Sequence, residues 1–181
     1  MDVIDSNISI DDEYCDMKYQ QYVQLVKDKK KHKQSPHDKR YKQGFFIPKN
    51  YKKCINIIDT SEPQPIVYRS GWEKQFFEFC DSNMGVVRWG SELIKILYPN
   101  PLTKKMCFYI PDGYMEVLTP NKTIEKYLVE IKPLKETLLS ETSNNYDKYM
   151  YVKNIMKWQS AIEYCNKRGI KFKILSDNDF R

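Results

Sequence analysis

Glu130 and Lys132 interrupt an apolar run in YLVEIKPLKET, residues 127–137. In a strand, side chains alternate between faces. Glu130 and Lys132 then share one face, and Val129 and Ile131 take the other. A tolerated ion pair on a half-exposed strand accounts for this pattern, since surface pairs are common and weak. A second account comes from the preceding segment. If 111–118 and 126–132 form an antiparallel hairpin centred near Asn121–Lys122, Asp112 falls opposite Ile131, beside Glu130. Two carboxylates brought together repel, and one pKa rises unless a cation sits between them. Hard oxygen ligands favour magnesium, with manganese able to substitute. A lysine beside such a metal can orient or deprotonate a water. Together these groups are equipped to hydrolyse a phosphodiester.

The elements that must hold these residues are legible in outline. RSGWEKQFFEFCDSN reads as a helix, with Trp72, Phe76 and Phe79 on one stripe, Ser70 as N-cap and Asp81–Asn83 at its end. VVRWGSELIKILY contains a strand over about 92–98. KMCFYIPDGYMEVL and EKYLVEIK read as two strands joined by the turn residues of TPNKTI. YMYVKNIMKWQSAIEYCNKR is the longest helix, with Val152, Ile155, Trp158 or Gln159, Ile162 and Cys165 spaced for one face. Gly169 sits where a helix-ending glycine belongs. IKFKIL is a final alternating strand. The order helix, strands, long helix, strand gives a mixed α/β sheet with helices packed on it.

A third acid lies on the first of these helices. Ser70-Gly71-Trp72-Glu73 is a capping box, in which Glu73 bonds back to the helix start. Capping and metal ligation do not exclude one another. The pair Pro111-Asp112, followed by Glu130-Ile131-Lys132, resembles the PD-(D/E)xK nuclease signature. The runs GFFIPKN, IVYRSGWEKQFFEF, VVRWGSELIKI, YIPDGYMEV, YLVEIKPLKET and KWQSAIEYCNKRGIKFKIL occur in an order that resembles the head completion nucleases of tailed bacteriophages, over about residues 43–180. That family is related in its catalytic core to the transposon-end-cutting endonuclease TnsA.

The resemblance implies a restriction-endonuclease-like fold, a magnesium-dependent DNA endonuclease, and a role in completing the filled head before the tail joins. It implies Glu73, Asp112 and Glu130 as metal ligands, with Asp112, Glu130 and Lys132 catalytic and Lys132 positioning or activating the attacking water. Arg69, Glu92 at the start of a strand, and Lys157 are supporting or DNA-contacting candidates. Each also has a plain alternative, as a cap on a carboxylate, an exposed strand-start acid and a solvated helix face. The implied partners are DNA and phage portal, neck or head proteins, in the host cytoplasm during assembly or in the virion. A structural head-closure or DNA-binding protein on the same fold, with no required catalysis, is the alternative function.

The flanking composition is compatible with this. From Met1 to Asp16 there are six acidic residues and no basic one. From Lys27 to Lys53 there are eleven Lys or Arg against two Asp, an excess of nine that exceeds the chain's net charge of +6. Such a block suits nucleic acid, an acidic partner or a solvated tail. Residues 1–41 are expected as an acidic-then-basic extension, with a short helix at about 14–31, and residues 42–181 as the nuclease-like domain. Five cysteines without paired spacing fit neither a zinc site nor a disulfide framework. No apolar run approaches a membrane span, and the acidic N-terminus lacks a signal peptide's basic region. His32 and His37 fall in the basic block and are not expected in the site. Trp72, Trp89 and Trp158 are expected in the core.

Overall fold

The computed structural model describes residues 11–32, 43–138 and 144–180. The chain runs α1 (Asp12–His32), β1 (Gly44–Phe45), α2 (Ile55–Ile58), β2 (Val67–Tyr68), α3 (Gly71–Ser82), β3 (Val86–Ser91), β4 (Ile96–Pro99), β5 (Met106–Tyr109), β6 (Gly113–Leu118), β7 (Ile124–Ile131), α4 (Leu134–Thr137), α5 (Asn145–Asn166) and β8 (Ile170–Leu175). His37 and the middle of the basic block, residues 33–42, lie outside the described residues.

The central sheet has the strand order β3-β6-β7-β8. β3, β6 and β7 are antiparallel, and β8 joins β7 in parallel. This mixed sheet, flanked by helices, is the α/β architecture expected from the sequence. Alternation along β7 separates two apolar layers. Tyr127, Val129 and Ile131 pack with Phe76, Phe77 and Trp89 on the side of α1, α2 and α3. Leu128 packs with Trp158, Ala161 and Cys165 of α5 on the other. Glu130 follows Leu128 by two residues, so it faces the α5 layer.

α1 spans the helix expected at 14–31, and Cys15, Tyr22 and Val26 bury one of its faces. Lys18 is 5% exposed, and its ammonium donates to the carbonyls of Thr60 and Ser61 at 2.8 and 2.5 Å. Helix α1 is therefore seated on the core of the following domain.

Three expectations are corrected. The strand expected at 92–98 starts later, as β4 at Ile96, because Glu92 turns with φ 52°, and a strand not expected from the sequence, β3, ends before that turn at Ser91. Buried Asn56 anchors the end of β3: its side chain donates to the Ser91 carbonyl at 2.9 Å and accepts the Ser91 N–H at 2.8 Å. The strand expected through 106–118 is two strands. β5 pairs with β4 in a separate two-stranded ribbon, and β6 begins only after Pro111-Asp112.

The third correction is the β6–β7 register. Tyr114 faces Leu128 and Gly113 faces Val129, one residue from the expected pairing. The cause is the turn. The Thr119 N–H donates to the Thr123 carbonyl at 2.8 Å, closing a three-residue loop in which Lys122 adopts φ 61°. A loop with an odd number of residues centres on Asn121 rather than between Asn121 and Lys122. The shift brings Asp112 level with Glu130 instead of Ile131.

On α5 the buried face is Asn154, Trp158, Ala161 and Cys165, while Val152 and Ile162 are exposed. Trp89 and Trp158 are buried and Trp72 packs against the core, as expected.

Candidate active site

Asp112, Glu130 and Lys132 meet at the end of the β6–β7 hairpin. Asp112 leaves the fully buried Pro111 and points its carboxylate across to β7, where Oδ2 accepts the Ile131 N–H at 2.7 Å. The Lys132 N–H donates to the Leu175 carbonyl at 2.9 Å, extending the β7–β8 ladder and fixing the backbone that carries Glu130 and Lys132. Glu130 is 3% exposed. Its Oε1 lies 3.5 Å from the Lys132 ammonium, and its Oε2 accepts the Tyr109 hydroxyl at 2.6 Å. Glu130 and Lys132 are thus a pair on one face, as the alternation predicts.

Both carboxylates are held against their charge, first of all by burial. Burial, then the charges of Glu130 and Glu73, push the Asp112 carboxyl up to about 8, although the Ile131 N–H and Lys132 act the other way. Burial also raises Glu130, against the pull of Lys132, Tyr109 and Lys157. Burial acts to lower Lys132, but Glu130 and Asp112 outweigh it and hold the ammonium above its ordinary range. Two carboxylates that share one paired lysine are the arrangement a cation would relieve.

Glu73 stands at the start of α3. Its N–H donates to the Ser70 Oγ at 3.1 Å, and its Oε2 accepts the Arg69 N–H at 2.8 Å. This is the expected capping box, displaced by one residue at its return bond, which goes to Arg69 rather than to Ser70. The charge of Glu73 reaches Asp112. Gly113 allows the approach: a Cβ there would meet the Phe76 ring at 2.3 Å, and Phe76 lies one turn along α3 from Glu73. Among the described residues, no three His, Cys, Asp or Glu side chains are gathered for a metal. Asp112 and Glu130 suit a hard divalent cation by donor type and by unneutralised charge. Glu73 Oε2 is taken by the Arg69 N–H.

Arg69 and Glu92 form an ion pair at 2.6 Å, so Arg69 takes its plain role as a cap on a nearby carboxylate. Glu92 is not at a strand start but in a left-handed turn, and its N–H donates to the Asp112 carbonyl at 3.2 Å. Lys157 does not lie on a solvated face. It is half-buried, with its ammonium 5.8 and 5.3 Å from the ring centres of Tyr98 and Tyr109. Burial lowers it, Glu130 opposes that, and Lys132 adds to it. Tyr109 is the residue that sequence reasoning missed. Its place three residues before Asp112 is visible, but its contact requires that β5 leave the sheet and pack on α5.

The profile of the TnsA-like endonuclease N-terminal domain matches residues 83–177, a span that includes Asp112, Glu130, Lys132 and Lys157 but not Glu73. The head completion nuclease of Enterobacteria phage T4 is 34% identical over 149 residues, covering 76% of this chain and 93% of that protein. No solved structure matches. With more than half of its length matching the domain and a full-length relative at this identity, the chain belongs to the TnsA-like endonuclease family, together with the phage head completion nuclease.

Proposed function

We propose that this protein is a magnesium-dependent DNA endonuclease that acts in phage head completion, before the tail joins. The observation that carries the reading is the convergence of Asp112, buried Glu130 and Lys132 at one hairpin end, where burial and the charge of Glu130 hold Asp112 against its own charge. Asp112 and Glu130 would hold the magnesium, with Glu73 completing the set once it leaves the Arg69 N–H. A bound magnesium supplies charge to a scissile phosphate. Manganese shares the ligand chemistry and can substitute.

The chain's own groups do the rest. Asp112 is fixed through Oδ2 by the Ile131 N–H, which leaves its other oxygen for the cation. The Lys132 ammonium is held charged by Glu130 and Asp112. In that state it orients the attacking water and opposes the negative charge that builds on the phosphate, rather than taking the water's proton. The water oxygen forms the new bond to phosphorus as one P–O ester bond breaks; the attacking water releases its proton to solvent and the leaving oxygen takes one from solvent. Lys157, half-buried and facing Glu130, adds a second positive charge from the α5 side. The Arg69–Glu92 pair forms a rim whose arginine can exchange its carboxylate for a DNA phosphate.

The partners under this reading are DNA and a phage portal, neck or head protein, met in the host cytoplasm during assembly. Among the described residues no helix is long and apolar enough to cross a membrane. The test is cleavage of supercoiled plasmid by the full chain in magnesium, in manganese and in EDTA, followed by tail attachment to filled heads made with an Asp112→Ala variant. Metal-dependent nicking or linearisation, and heads that fail to accept tails, are expected. Normal particles from Asp112→Ala would favour a structural head-closure role without required catalysis.

A further inference from the structure

The nuclease reading leaves one contact to Glu130 without a purpose. Tyr109, at the end of β5, is 4% exposed and donates its hydroxyl to Glu130 Oε2 at 2.6 Å. This distance belongs to the short, charge-assisted class of O–H···O⁻ bonds. β5 lies outside the central sheet, in the ribbon it forms with β4. The inner face of that ribbon, Ile96, Tyr98 and Tyr109, packs against Trp158, Ala161 and Cys165 of α5.

The Tyr109 ring is held on several sides. The Tyr98 ring meets it edge-on at 6.5 Å and 82°, and the Lys157 ammonium sits 5.3 Å from its centre. With the ring so placed, the hydroxyl reaches Glu130 Oε2. The two oxygens of Glu130 are consequently unequal. Oε2 is occupied by a neutral donor, and Oε1 is turned toward Lys132 at 3.5 Å. A carboxylate with a free end torsion would sample both orientations. One bonded on a single oxygen is oriented, which is what partners behind a metal ligand generally achieve.

We propose that Tyr109 is a positioning residue for the reaction: its hydroxyl holds Glu130 by Oε2, so that Oε1 is presented with Asp112 and Lys132 toward a hard divalent cation. The β4–β5 ribbon thereby becomes a support of the site rather than an appendage. The inference rests on the nuclease reading above.

The test uses the full chain and manganese alone, without DNA, by isothermal titration calorimetry of wild type and Tyr109→Phe. Loss of an oriented partner of this kind should weaken manganese binding about 10–100-fold. The plasmid kcat should fall with it, while KM for plasmid stays unchanged. A purely structural tyrosine would lower the melting temperature and leave manganese affinity where it was; equal affinity in the two proteins overturns the inference. A wild type that neither binds manganese nor cuts DNA overturns the nuclease reading and this inference with it.

A second measurement needs no variant. In wild-type protein labelled at the tyrosine ring carbon that bears the hydroxyl, the Tyr109 resonance should move as magnesium is added and saturate with the magnesium affinity. A resonance unmoved at saturating magnesium overturns the inference.

Discussion

The crowding of Asp112 makes a prediction about stability that needs no catalysis. Asp112→Asn keeps an oxygen to accept the Ile131 N–H and removes the charge. In the folded protein the Asp112 carboxyl sits at about 8, against an ordinary value near 3.8. A carboxyl whose folded pKa is raised stabilises the fold fully below its ordinary value, and that contribution is lost as pH rises through about 8. Within the window the folded state holds up to one extra proton, so the slope is at most about 1.4 kcal/mol per pH unit. Raising the pH from 5 to 7 then costs wild type at most ~2.7 kcal/mol relative to the variant. Asp112 is only half-buried, and allowing half for solvent screening leaves ~1–1.5 kcal/mol. For a domain of this size that is a shift of about 2–6 °C.

The assay is thermal unfolding of both proteins in EDTA from pH 5 to pH 8. The variant should gain about 2–6 °C on wild type between pH 5 and pH 7, and saturating magnesium should narrow the gap by stabilising wild type. Parallel pH profiles, or a variant that loses ground as pH rises, would refute the claim that Asp112 is held against its charge.

Other residues give sharper separations. Gly113→Ala places a Cβ 2.3 Å from the Phe76 ring; it should destabilise by about 1–3 kcal/mol in thermal melts and slow cleavage by pushing α3 and Glu73 away. Ser70→Ala should cost about 1 kcal/mol of stability through removal of the cap but leave manganese affinity intact. Glu73→Gln should do the reverse, and calorimetry on the two variants separates capping from ligation. If the Lys27–Lys53 block touches phosphate, replacing its lysines with glutamine should flatten the plot of log affinity against log salt by about 0.9 for each phosphate no longer neutralised. DNA affinity that does not depend on salt would contradict that role.

The central pattern was legible because it depends on period alone. Glu130 and Lys132 had to share a face opposite Val129 and Ile131, and they do. The Ser70 cap and the left-handed Gly169 were legible because each answers a local backbone need. The register was not, since Thr119–Thr123 can close with either loop parity and only the backbone bonds decide it. The β4–β5 ribbon was hidden because its apolar alternation runs straight into that of β3 and β6. The breaks lie at Glu92, a residue type that rarely takes positive φ, and at Pro111-Asp112. Tyr109 disappeared with that ribbon. On α5, counting large apolar residues favoured Val152 and Ile162, whereas close packing selected Asn154 and small Ala161; Trp158 and Cys165 were expected and are buried.

The most direct test of the account is plasmid cleavage in magnesium by wild type, Asp112→Asn and Lys132→Ala, with manganese affinity measured on the same three preparations. The account predicts that wild type cuts and binds, that Asp112→Asn loses both, and that Lys132→Ala still binds manganese but no longer cuts. A folded Lys132→Ala that cuts at the wild-type rate would contradict it.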